Sequence, residues 1–211
     1  MIRVEKLSKT FVLHNQGDVE LRVLEDVDLE VEGGECVALH GASGVGKSTL
    51  LKCLYGNYRI SQGSARVAGV EVASASPREL LRLRRDSVAY VSQFLRVIPR
   101  IAALEVVLDG VPLRAEAEAL LERLRIPRRL WSVPPATFSG GEQQRINLAR
   151  SFLQPRAVLL LDEPTASLDA DNCRTVVALV NEARASGAAI LGIFHDPGVR
   201  DAVATRVHEL H

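Results

Sequence analysis

At 211 residues, 47% hydrophobic and 25% charged, the chain is long enough for one domain, or a domain with an inserted lobe, around a sizeable core. Its 26 basic and 26 acidic side chains cancel, which speaks against a nucleic-acid protein, since such proteins carry a basic excess. Its strongest apolar runs, AVLLL at 157–161 and AAILGIF at 188–194, are far shorter than the roughly 20 residues a membrane-spanning helix needs.

The start, MIRVEKLSK, is charged from Arg3 on and has no apolar secretory stretch. Ile2 and Val4 open a strand, and VLEDVDLEVEGG and ECVALHGA continue the strand texture, with Gly33-Gly34 read as a hairpin turn. CVALH runs into a glycine-rich loop, and KSTLLKCLYG follows with helical character. SARVAGVEVA predicts two short strands around Gly69. Pro77 suits the first position of a helix over PRELLRLRR, and SVAYVSQ predicts a buried strand. From 94 to 137 the texture changes. Pro99, Pro112, Pro127, Pro134 and Pro135 punctuate a segment in which Ala117, Leu120, Leu121 and Leu124 share a helical face. This predicts a helical lobe over 94–153, inserted between core segments 1–93 and 154–211. Its last helix begins at FSGGEQQR and runs towards Phe152. AVLLLD then predicts a strand, 169–187 a helix ending at Gly187, and AAILGIF another strand. Strands apolar on both faces belong in a parallel sheet covered by helices, so the fold class is α/β with a central, mostly parallel sheet. Cys36, Cys53 and Cys173 form no CxxC pair and read as reduced thiols of a cytoplasmic protein. The HELH end reads as a frayed terminus rather than a metal site.

Gly41-Ala42-Ser43-Gly44-Val45-Gly46-Lys47-Ser48 fits the phosphate-loop pattern, with Thr49 next in the helix. Backbone N–H groups of such a loop wrap phosphates, Lys47 reaches the β- and γ-phosphates, and the Ser48 hydroxyl binds Mg²⁺. Asp162 and Glu163 follow the apolar run AVLLL, where a strand end lies beside the loop. Asp162 is expected to hold Mg²⁺ and Glu163 to polarise the attacking water as general base. Gln93 ends the strand AYVSQ and is either a sensor of Mg²⁺ and the water or an ordinary surface glutamine. His195 ends ILGIFH in the same topological position and is either a γ-phosphate ligand or structural. Phe11 either stacks on adenine or packs in the core. Ser139-Gly140-Gly141 opens a helix and forms a second N-terminus open to phosphate, far from the first in sequence.

In this order, Phe11, GASGVGKS, Gln93, SGGEQQR, VLLLDE, Ser167-Leu168-Asp169 and His195 resemble the motifs of the ATP-binding-cassette ATPases over nearly the whole chain. The resemblance implies a P-loop NTPase fold of cassette type, with an antiparallel β subdomain and the inserted helical lobe. It also implies two cassettes arranged head to tail with ATP and Mg²⁺ between them. Ser139, Gly140 and Gly141 would then cap a γ-phosphate held by the partner's loop, Asp169 would lie at the joint, and Gln93 and His195 would take their catalytic readings. One departure is Glu142, where many transport cassettes read LSGGQ. Its charge suits a helix N-terminus and opposes a bound phosphate, and the net sign stays open.

SKTFVLHNQG, YVSQFLRVIPRIAALEVV, LWSVPPATFSGGEQQRINLARSF and GIFHDPGVRDAVA further resemble the L subunits of the bacterial carbon–phosphorus lyase system. That resemblance implies a cassette that supports formation of ribose-1-phosphonate 5-triphosphate with soluble lyase subunits, paired with an identical chain or with the K subunit. The chain offers no nucleophile for removing adenine, so its expected part is to power or gate the complex. The alternative is the nucleotide-binding subunit of a transporter, of the short exporter or lipoprotein-release type. Arg96, Ile98, Pro99, Arg100 and Trp131 are the candidate docking residues on the lobe.

Overall fold

The computed structural model describes residues 1–12, the backbone of 13, and residues 19–92 and 100–211. Two sheets organise it. The first is antiparallel, in the order β2-β1-β4-β5, from β1 (Ile2–Leu13), β2 (Val19–Val31), β4 (Gln62–Val67) and β5 (Val70–Glu71). The second, wholly parallel in its pairings, runs β6-β7-β8-β3-β9, from β3 (Cys36–His40), β6 (Val88–Val91), β7 (Val158–Asp162), β8 (Ala189–Ile193) and β9 (Arg206–Glu209).

Strand parity divides the core. Val37, Leu39, Val158, Leu160, Leu191 and Ile193 face α1 (Lys47–Leu54) and the antiparallel sheet. The alternate residues Cys36, Ala38, Leu159, Leu161 and Ile190 share a cluster with the helical lobe. Both faces of β7 and β8 are fully buried, as a parallel sheet covered on two sides requires.

The lobe contains α3 (Ala103–Leu108), α4 (Arg114–Arg123) and α5 (Gly140–Phe152). Ala117, Leu121 and Leu124 are buried and Leu120 packs against them, so the predicted apolar face is the one that faces inward. α2 (Pro77–Asp86) starts with Pro77 in its first turn behind a Ser76–Glu79 capping box. α6 (Ala170–Ala185) and α7 (Pro197–Val203) complete the layer. No helix among the described residues is long and apolar enough to cross a membrane.

Three expectations change. Gly33-Gly34 does form a turn, but it joins β2 and β3, which lie in different sheets, so it is no hairpin. The chain end is not frayed: β9 pairs in parallel with β3, Leu210 is buried, and its N–H donates to the His40 carbonyl. Trp131 is not a docking residue; it is buried and its indole N–H donates to the Ile126 carbonyl. Arg100 is exposed, whereas Arg96, Ile98 and Pro99 fall outside the described residues. The thiols of Cys36 and Cys53 are free, and burial pushes them up to about 12 and about 11, which makes them unreactive packing groups.

Candidate active site

The parallel sheet brings the carboxyl ends of β3, β7 and β8 to one edge. There Gly41, Ser43, Gly44, Gly46, Lys47, Ser48, Thr49, Glu163 and His195 line a cleft of about 450 Å³. Residues as distant in sequence as Gly41 and His195 meet here because three parallel strands end side by side.

The loop between β3 and α1 needs glycine at two positions. A Cβ on Gly41, at φ +140°, would sit 2.4 Å from the Leu210 carbonyl oxygen. One on Gly46, at φ +103°, would sit 2.8 Å from the Val23 carbonyl oxygen. Both are close backbone approaches in a conformation that L-residues avoid. α1 then begins bare. Gly46 offers no side-chain cap and the first turn holds no acidic residue, so the N–H groups of that turn are left for an anion. Lys47 Nζ folds over the loop and donates to the carbonyls of Gly41 and Ala42, both at 2.8 Å, which holds its charge at the cradle.

Ser48 and Asp162 meet as the sequence predicts. Ser48 Oγ donates to Asp162 Oδ1 at 2.8 Å, and the Tyr90 hydroxyl donates to Asp162 Oδ2 at 2.8 Å. Asp162 is only 4% exposed, so these donors keep a buried carboxyl satisfied. A hydroxyl and a carboxylate at one point are hard oxygen ligands that fit Mg²⁺.

Glu163 takes a left-handed backbone, φ +54°, immediately after β7. Strain of this kind costs about 1–3 kcal/mol and collects at functional positions. Its N–H donates to the Ile193 carbonyl at 3.2 Å, which ties it to the end of β8. His195 Nε2 and Glu163 Oε1 are hydrogen-bonded at 2.8 Å, which orients the ring. Glu163 is 23% exposed and His195 67%, so the carboxyl is sheltered while the imidazole faces the cleft mouth.

The second phosphate-like N-terminus stands elsewhere. Ser139 caps α5 and does not line this cleft. Gly141 packs so closely on the following loop that a Cβ there would lie 2.8 Å from the Ser167 carbonyl oxygen, whereas Gly140 faces open space. Asp169 caps α6, and its side chain accepts from the Asn172 backbone N–H at 2.8 Å and from the Asn172 amide at 3.0 Å. Phe11 also lies outside the cleft lining. Its ring meets Tyr58 edge-on at 5.2 Å, and Lys9 Nζ stands 4.4 Å above it. Gln93 falls outside the described residues.

Three polar residues that brace the site from outside the cleft lining are given no role by the motifs. Tyr90 is one; a tyrosine in an otherwise aliphatic buried strand must find a partner for its hydroxyl, and that rule was the available signal. Gln144 and Asn147 are the others. Gln144 Nε2 donates to the Pro164 carbonyl at 3.3 Å and Asn147 Nδ2 to the Ser92 carbonyl at 2.8 Å. Polar residues on the inward face of a helix were their signal. Tyr90→Phe is expected to cost about 1.5–3 kcal/mol, the scale of a hydrogen bond to a charged group, read as a lower urea midpoint at unchanged slope.

Comparison with known proteins agrees with this geometry. The family described as ABC transporter matches residues 24–166. The lipoprotein-releasing system ATP-binding protein LolD of Shewanella oneidensis is 35% identical over 206 residues, covering 93% of this chain and 88% of that protein. The macrolide export ATP-binding/permease protein MacB 1/2 of Paracoccus denitrificans is 38% identical over 202 residues, covering 92% of this chain but only 30% of that protein. The chain thus spans under a third of the MacB relatives it matches. Among solved structures, the ATP-binding cassette MJ0796, in a dimeric post-hydrolysis state bound to ADP and Pi, superposes with a TM-score of 0.89 at 27% identity. The match covers 100% of this chain and 94% of that one.

Proposed function

Because the chain belongs to the ABC transporter family, we propose that it is a cassette subunit that binds and hydrolyses MgATP between two head-to-tail copies and passes the resulting motion to a partner. The observation that carries this reading is one cleft holding a bare helix N-terminus, Lys47, the Ser48–Asp162 pair and the Glu163–His195 pair.

Each residue has a role in that reading. The loop at 41–49 wraps the triphosphate, and Lys47 neutralises its outer phosphates. Ser48 and Asp162 would hold Mg²⁺, with Gln93 as a further ligand; the ion would supply charge neutralisation for the triphosphate. Glu163 accepts the proton of the attacking water, and His195 orients Glu163 as seen here and would turn its N–H to the γ-phosphate once ATP is bound. Ser139, Gly140 and Gly141 of the other copy close the pocket, Asp169 sits at the joint, and Phe11 with Tyr58 offers an aromatic face to the base. We draw the lobe as 94–153 and the core as 1–93 and 154–211. The dimeric state of the MJ0796 cassette supports the pairing.

The test is concentration dependence. At low protein, doubling the chain should roughly quadruple the phosphate release rate, because two copies build each site. A rate strictly proportional to protein over a hundredfold dilution would refute the pairing.

The relatives' names favour a membrane subunit as the partner: one is a lipoprotein-releasing system component, another an export ATP-binding/permease protein. We therefore read this chain as a transporter cassette working at the cytoplasmic face of a permease. The carbon–phosphorus lyase assignment finds no support among these relatives. It rests on the sequence stretches 8–17, 90–107, 130–152 and 192–204 alone, and stands second. Pull-down of the tagged chain separates the two: a co-purifying integral membrane subunit supports the first, and soluble lyase subunits support the second.

A further inference from the structure

Two helices in this chain present N-termini suited to phosphate, and they differ in what already sits there. α1 is bare, as described. α5 is capped by its own sequence. Ser139 Oγ donates to Glu142 Oε2 at 2.7 Å, the Ser139 N–H donates to the same oxygen at 2.9 Å, and the Glu142 N–H donates to Ser139 Oγ at 3.3 Å. A serine hydroxyl has one hydrogen, and here it is committed to a carboxylate. The Ser139 hydroxyl and N–H hold the Glu142 carboxyl below its usual range, with smaller help from Arg145 and Arg129.

We propose that Glu142 competes internally with the γ-phosphate for the Ser139 hydroxyl, and so sets how much MgATP the composite site requires. The proposal rests on the head-to-tail reading above. For a partner's γ-phosphate to accept from Ser139, the hydroxyl must turn away from Glu142. One charge-assisted hydrogen bond is then exchanged for another, and closure gains only the difference between them. Two anions also come to share one helix end, whose dipole amounts to roughly half a positive charge and cannot neutralise both. Gly140 leaves room for the phosphate to approach, being open to solvent, while Gly141 is packed on the Ser167 carbonyl, so at the open side the constraint is electrostatic rather than steric.

Glu142→Gln is the informative change. It preserves the capping box, which accepts either a glutamate or a glutamine three residues into the helix, while removing the charge. The experiment follows MgATP-driven dimerisation by light scattering in a Glu163→Gln background, in which turnover is slow. Adding Glu142→Gln should lower the MgATP midpoint about tenfold, the margin between a charge-assisted and a neutral hydrogen bond in a sheltered site. In a Ser139→Ala background the same change should gain only about twofold, since the contested hydroxyl is gone. Equal midpoints with and without Glu142→Gln would overturn the competition and leave the sandwich standing. An undiminished tenfold gain without the serine hydroxyl would overturn it too, assigning the effect to bulk charge. Monomers at saturating MgATP in every variant, with nucleotide still bound, would overturn the head-to-tail reading and this proposal with it.

Discussion

Glu163→Gln should lower turnover by about a thousandfold while leaving ATP binding intact, within the range that general-base removal usually costs. The substitution is close to isosteric. Glutamine keeps an oxygen that can accept from His195 Nε2 at the 2.8 Å separation seen here, and the backbone tie from residue 163 to the Ile193 carbonyl does not involve the side chain. The left-handed φ of +54° is equally demanding for either residue. The fold therefore survives and the chemistry alone fails. ATP bound to such a variant should accumulate in long-lived dimers, because the contacts made through the γ-phosphate are never released. Phosphate release and size-exclusion chromatography with MgATP read the two effects separately. Turnover within twofold of the unaltered chain would remove Glu163 from the role of base.

Gly41→Ala should unfold the protein more readily than any other single-methyl addition in the loop. The new Cβ would lie 2.4 Å from the Leu210 carbonyl oxygen and 3.1 Å from Val45 Cγ1, at φ +140°. Neither the backbone of residue 210 nor the loop can withdraw freely, since the Leu210 N–H is bonded to the His40 carbonyl next door. The expected cost is about 3 kcal/mol, equivalent to roughly 6–12 °C in Tm for a chain of this size. Gly44→Ala is the control. Its φ is +83° but nothing lies within 4 Å of the added carbon, so only the backbone term of about 1 kcal/mol remains. Thermal melts of the two variants side by side separate clash from strain; similar melting temperatures would show that the contact with residue 210 yields.

The parts of this molecule that could be read from sequence are those whose signal is local. β7 and β8 are uninterrupted apolar runs, the glycine loop sits between a strand and a helix, and Ser139 begins α5 where the serine–glycine pair places it. Pairing order is a tertiary matter and was not legible. β3 lies between β8 and β9, strands far along the chain, and nothing in CVALH names them. β9 itself went unread because RVHE is exposed or half-exposed throughout and owes its extended form to β3. The glycine pair at 33–34 misled because alternation on both sides of a turn looks the same whether the strands pair or part. Within the site, Lys47, Ser48, Asp162, Glu163 and His195 come together as their spacing implied, whereas the supporting hydroxyl of Tyr90 depended on β6 lying beside β7.

Among the contacts that hold helix α5 are its tip, where Gly141 abuts the Ser167 carbonyl, Gln144 on the Pro164 carbonyl, and Asn147 on the Ser92 carbonyl. The last two are three residues apart and so share a side of the rod. In the proposed head-to-tail pair, pressure on this tip from the neighbouring copy would act on the backbone one step beyond Glu163 and on the end of β6, so that each copy would be a lever as well as a lid.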